Sequence, residues 1–119
     1  MTKAIDDLTQ AVKGLLYSSE SEAELKPVTV EGSAIDAVAA RKLAGAAKGV
    51  AVEEESLDDF FRTVPPEDKA KFAKVRNVLE RLASVKVFKV GDEPEKQVFV
   101  LGKDDGGNVV GVKTMVVET

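Results

Sequence analysis

Twenty-one carboxylates, with no histidine and no cysteine, set the chemistry open to this chain of 119 residues. Without His or Cys there is no imidazole general base, no Ser-His or Cys-His nucleophile pair and no thiolate metal site. The sequence carries no Walker phosphate loop and no GxGxxG turn after a strand. Carboxylate-only hydrolysis stays open by count, yet neither an apolar pocket nor a spacing singles out a pair of acids. The chain therefore reads as a non-enzyme without cofactors, a protein whose acidic groups bind rather than react.

Four places concentrate those groups. In Ser18-Ser19-Glu20-Ser21-Glu22-Ala23-Glu24, Ser21 and Glu24 have capping-box spacing and would open a short helical turn. The same segment also reads as an exposed loop that offers carboxylates to a cationic partner. Five carboxylates lie between Glu53 and Asp59, without the glycine punctuation of a calcium loop. Ser56, Asp58 and Asp59 suit a helix start instead. Asp104 and Asp105 sit in a Gly-rich turn that needs no cation to explain it. Glu118 and Thr119 follow the run Val109–Val117 directly, which predicts a strand that holds the C-terminus on a sheet.

The net charge of -4 narrows the partner. Residues 1–64 hold 7 basic and 12 acidic residues, and residues 65–119 hold 10 and 9, so the acidity is in the first half. A nucleic-acid binder needs a basic excess to neutralise phosphates. The acidic bias suits a basic protein partner or simple solubility. No apolar run approaches the roughly 20 residues of a membrane-spanning helix, and the first residues lack a secretory signal pattern. Together with the absence of Cys, this predicts a cytoplasmic protein.

The elements that must position these groups follow from periodicity. Ile5, Leu8, Val12, Leu15 and Leu16 share one helical face, predicting a helix over 4–16 with Thr2 as its cap. Val28 and Val30 predict a strand over 26–31 with Pro27 at an edge position. Ser33 with Asp36 caps an Ala-rich helix that Gly45 and Gly49 end. A short strand over 49–55 precedes a helical turn carrying Phe60, Phe61 and Val64. Pro65-Pro66 introduces a helix over 67–83 with a Phe72, Val75, Leu79, Leu82 stripe. From Val85 the period drops to two, giving strands over 85–90, 97–101 and 109–117 joined by hairpin-length turns. Val98-Phe99-Val100-Leu101 is apolar on both faces, as a central strand requires. The reading is a single domain over 1–119 of the α/β (α+β) class. It predicts a three-layer α/β/α sandwich with a mixed sheet and a C-terminal antiparallel three-stranded meander.

Three blocks then resemble the nuclease A inhibitor family. Gly14 to Glu22 (GLLYSSESE) resembles the end of its first helix, and Ser56 to Arg62 (SLDDFFR) resembles its central segment. From Val85 onward KVFKVGD, VFVLGK, GNVVGVKT and the final VVET follow in the same order. The resemblance implies an α/β/α sandwich and a cytosolic inhibitor of a sugar-nonspecific, metal-dependent nuclease. It implies that Thr119 reaches the metal in the nuclease active site and that Glu20 meets its basic residues. Ser21, Glu22, Asp68 and Glu118 are the neighbouring candidates for partner contact, with the free protein expected to be a monomer. This chain departs from the family after Pro65-Pro66-Glu67-Asp68, where a longer acidic loop with Trp and Tyr is replaced by direct passage into the helix at Lys69. That departure keeps a second reading alongside the first, a module on the same scaffold that binds a non-nuclease protein.

Overall fold

The computed structural model describes residues 3–13, 15–18, 22–30, 35–45, 51–62, 64, 66–91, 95–104 and 106–117. The elements run α1 (Lys3–Val12), β1 (Leu16–Ser18), β2 (Glu22–Glu24), β3 (Lys26–Val30), α2 (Ala37–Ala44), β4 (Val52–Glu55) and α3 (Leu57–Arg62). A single 3-10 turn (Pro66–Asp68) then opens α4 (Lys69–Glu80), and β5 (Ala83–Val90), β6 (Glu95–Lys103) and β7 (Val109–Val117) complete the chain.

The predicted meander forms, and its strands lie inside a five-stranded sheet of order β3-β7-β6-β5-β4. Every described pairing in that sheet is antiparallel, which corrects the expectation of a mixed sheet. The α2 crossover joins β3 and β4, which point the same way. They lie on opposite edges, so no parallel pair forms. The architecture is α+β. Pro27 occupies an edge strand, as its missing N–H requires.

β6 is central and its side chains alternate between two apolar clusters. Val98 and Val100 join Leu8, Phe60, Val75 and Leu79, from α1, α3 and α4. Phe99 and Leu101 join Ala40 of α2 and Phe88 of β5. The period-two run is therefore buried on both faces, each at 1% exposure or less. Burial at about 25 cal/mol per Å2 makes this alternation the main constraint on register, because a one-residue slip would exchange the two sets.

Local chemistry sets the ends of the elements. The Asp36 carboxylate accepts from the Ala39 N–H at 2.9 Å and caps α2, taking the role assigned to Ser33 with Asp36 together. Gly45 closes α2 in the left-handed conformation at φ 67°. Ser56 Oγ accepts from the Asp59 N–H at 3.0 Å and caps α3, as predicted. Two predicted helices are shorter in the structure. α1 ends at Val12, where the Leu15 N–H bonds the Val12 carbonyl at 3.0 Å and the chain turns into β1. α4 ends at Glu80, where the Arg81 and Leu82 N–H groups bond the Val78 and Leu79 carbonyls at 3.2 and 3.0 Å and the chain turns into β5. The positions predicted for Thr2, Ser33 and Gly49 lie outside the described residues.

Two predictions come from the sheet. Gly111 of β7 faces Leu101, and a Cβ there would be driven into the Val100 backbone carbonyl oxygen. Gly111→Ala is expected to cost about 2–3 kcal/mol through overpacking. That predicts a fall in melting temperature of roughly 8–15 °C for a domain of this size, and an unchanged melt would show that the strands do not approach so closely. In the β6–β7 turn, Asp104 Oδ1 accepts from the Gly106 and Asn108 N–H groups, both at 2.9 Å. These bonds, the Asn108 one first, hold its pKa below the usual carboxylate value. The turn is thus favoured by the charged form above the ordinary carboxylate pKa, and that contribution is lost as pH falls through the lowered value. An NMR titration should place the Asp104 midpoint below that of an unstructured aspartate; an ordinary midpoint would contradict the turn geometry.

Candidate functional site

The residues singled out for partner contact sit on three segments. Glu20, Ser21, Glu118 and Thr119 lie outside the described residues, as does Asp105 among the acids weighed for cation binding. Glu22 is the first residue of β2, and Asp68 is the last residue of the 3-10 turn. What the structure gives is the framework around these positions.

β1 and β2 pair antiparallel, Leu16 with Glu24 and Ser18 with Glu22, so the two strands bracket positions 19–21. This corrects the capping-box reading, because Glu22–Glu24 is a strand and not the first turn of a helix. The alternation in Glu22-Ala23-Glu24-Leu25 was the available signal, with Leu25 buried in the core. Leu25 links β2 to β3 while its N–H reaches the Leu15 carbonyl at 3.4 Å.

Register then fixes where this small hairpin lies. Lys26, at the start of β3, pairs with Lys113 of β7, and Val30 pairs with Val109. Moving back from Lys26 into β2 therefore moves forward along β7, toward Val117. Both β1 and β2 contact β7. The strands that bracket 19–21 and the strand that leads to Thr119 thus meet at one end of the sheet.

Asp68 belongs to the same end. α1 and α4 run antiparallel, with Asp7 within 3.8 Å of Arg81 and Ala11 sharing a groove with Lys74. The C-terminal end of α1, which feeds β1, is therefore beside the N-terminal end of α4. Asp68 precedes α4 with φ -102° and ψ -6°, and its side chain makes no capping bond. Its half-buried carboxylate is left for other contacts.

The remaining acids have local work. Glu53 pairs with Lys96 at 3.4 Å and Glu55 with Lys89 at 3.5 Å. Asp59 pairs with Arg62, and Asp58 with Arg76. Arg76 also bonds Glu80 at 3.2 Å and lies 5.6 Å from the centre of the Phe61 ring. The bonds from Asp58 and then Glu80 raise the guanidinium pKa further. These contacts line a cleft of about 410 Å3 between α3 and α4 whose floor includes Phe61 and Phe72. Four of the five carboxylates over 53–59 are matched to cations, and among the described residues no cluster of three acids is arranged to hold a metal. Over this stretch Ser56 caps α3 as expected, and the carboxylates form ion pairs on the surface.

None of the curated proteins compared with the chain matches it. A family model described as "Nuclease A inhibitor-like protein" matches residues 2–119, from α1 through the end of β7 and beyond. With nearly the whole length matched, the chain belongs to the nuclease A inhibitor-like protein family.

Proposed function

We propose that this protein inhibits a metal-dependent, sugar-nonspecific DNA/RNA nuclease by occupying its active site with the end of the sheet that carries β2 and the C-terminal side of β7. The observation that carries the reading is the convergence of the β1–β2 hairpin and β7 at one end, in a chain of the nuclease A inhibitor-like family. Two apolar clusters fed from opposite faces of β6 support a three-layer α/β/α arrangement beneath that end.

The chemistry suits such a target. A nuclease cleft is shaped for phosphate, so it offers cationic side chains and a hard divalent ion. Thr119 brings a hydroxyl oxygen, the ligand type that magnesium prefers. Glu20 provides charge-assisted hydrogen bonds to a lysine or arginine of the partner. Ser21, Glu22, Asp68 and Glu118 complete a polar rim. The metal belongs to the nuclease, and this chain contributes to it only in trans. On this reading the inhibitor is cytoplasmic and a monomer when free. A second reading keeps the same surface for a non-nuclease protein; the absence of Trp favours it, because Trp is a frequent interface anchor.

The test is an inhibition assay on a panel of nonspecific nucleases with saturating divalent metal. Deleting Thr119 is expected to weaken inhibition about 30-fold or more, the scale of losing a central interface residue. Glu20→Ala is expected to weaken it about tenfold, with the loss shrinking at high salt. A wild-type protein that neither binds nor slows any nuclease in the panel overturns the proposal. Wild-type inhibition left intact by the Thr119 deletion would overturn the role given to that residue.

A further inference from the structure

The second face of the sheet is covered unevenly. α2 lies over the Phe88, Phe99 and Leu101 region, and Gln97 Nε2 pins its C-terminal end by donating to the Ala44 carbonyl at 3.0 Å. Along β7 the residues of this face are Val109 and Gly111, both buried, and then Lys113 and Met115, both exposed. Met115 is 38% exposed, the one large apolar side chain so exposed among the described residues. Lys113 faces Lys26 across the β3–β7 pairing.

That lysine pair is unusual in its local physics. Pro27 has no N–H, so its pairing with Val112 takes the non-hydrogen-bonded position and Lys26 with Lys113 the bonded one, with Cα atoms about 5.5 Å apart. Like charges directly opposite on one face disfavour the sheet. Among the described residues neither lysine has a carboxylate within ion-pair distance, whereas Lys89 and Lys96 on the same sheet are each matched to a glutamate. Protection of an open edge explains Lys26 on β3 but not Lys113, since β7 is an interior strand. A lysine stem can roof the neighbouring Phe99, yet a roof needs no charge.

We infer that Lys26, Lys113 and Met115 form a second contact patch that receives carboxylates on the rim of the same protein partner. This rests on the inhibitor reading above. Lys113 is four residues before Val117, about 13 Å along the strand. A standard interface of about 800 Å2 per partner has a radius of roughly 16 Å, so a footprint centred on the end of β7 reaches the lysines. The two cations add charge complementarity to acidic rim groups, and Met115 supplies an adaptable apolar contact beside them.

The experiment measures association and dissociation rates with a purified nonspecific nuclease that wild type holds, from about 25 to 300 mM salt. K26E/K113E is expected to lower the association rate at least tenfold at low salt, with the gap narrowing as salt rises. K26M/K113M keeps the apolar stems and should lose a smaller share, and Met115→Ala should raise the dissociation rate a few-fold. K71E/K74E makes the same change in net charge on α4 and, toward a basic partner, should leave the association rate unchanged or raise it. Equal effects of the two reversals would reduce the patch to a general charge effect and overturn it. Wild-type rates for K26E/K113E, in a preparation where Thr119 deletion weakens binding, would overturn the patch and leave the site reading standing. Failure of wild type itself to hold a nuclease removes both. Melting curves monitor folding, and should K26E/K113E unfold, K26M/K113M carries the same comparison.

Discussion

The candidate site depends on β7 being paired with β6 along its whole length. β6 follows it from Lys103 opposite Val109 to Glu95 opposite Val117, and β3 covers its first half on the other side. Pairing of this extent resists fraying, and the side-chain alternation is held by the burial of Val109, Val110, Val112 and Val116. Val110, Val112 and Val116 belong to the cluster beneath α1, α3 and α4, while Val109 belongs to the cluster beneath α2. Slipping β7 by one residue would expose both sets at once. Gly111 removes the remaining freedom, since β6 approaches it too closely for any side chain.

The charges follow a different logic from the core. Among the described residues, six carboxylates outside the candidate site pair with a cation nearby: Glu53 and Glu55 across strands, Asp58 and Asp59 around α3, and Asp7 and Glu80 on α1 and α4. Each such exposed pair contributes little, about 0.2–1 kcal/mol, and salt weakens it. Their larger effect is to quench local fields, so the net charge of -4 is expressed where acids are not matched. Glu24 is exposed on β2, beside the positions bracketed by the hairpin, and Asp68 is uncommitted as a cap. An acidic end of this kind speeds the approach of a basic partner before any contact forms.

The meander was legible because a period of two, turn residues and a doubly apolar central segment agree over more than thirty residues. α4 was legible for the same reason at a period of 3.6. The failures occurred where one pattern supports two structures. Leu15 and Leu16 continue the helical spacing of α1, so the apolar stripe overran into a strand; Gly14, a common stop residue, was the competing signal. β1 and β2 are three residues each, too short for periodicity to separate a strand from a capped turn. The last turn of α4 is closed by backbone bonds at Arg81 and Leu82, with no glycine or proline in the sequence there to mark it. The candidate residues come from family resemblance, but the meeting of the strands that flank them was not legible. It required knowing that β3 pairs with β7 in a register that carries β2 toward Val117.

Geometry also limits how such a site can work. Thr119 is two residues past Val117, so it can reach no more than about 7 Å beyond the last described residue of the strand. A flexible tail could thread a deep cleft alone, at the entropic cost of ordering each residue on binding. On the proposed reading, bringing Thr119 to a buried metal requires the partner to admit the sheet end itself. The contact surface then has to include what flanks β7 there, the β1–β2 hairpin on one side and β6 on the other. Little order remains to be imposed on that framework at docking, so more of the contact energy is retained as affinity. On that reading specificity depends on the shape and charge of the whole sheet end, with Thr119 as one contact within it.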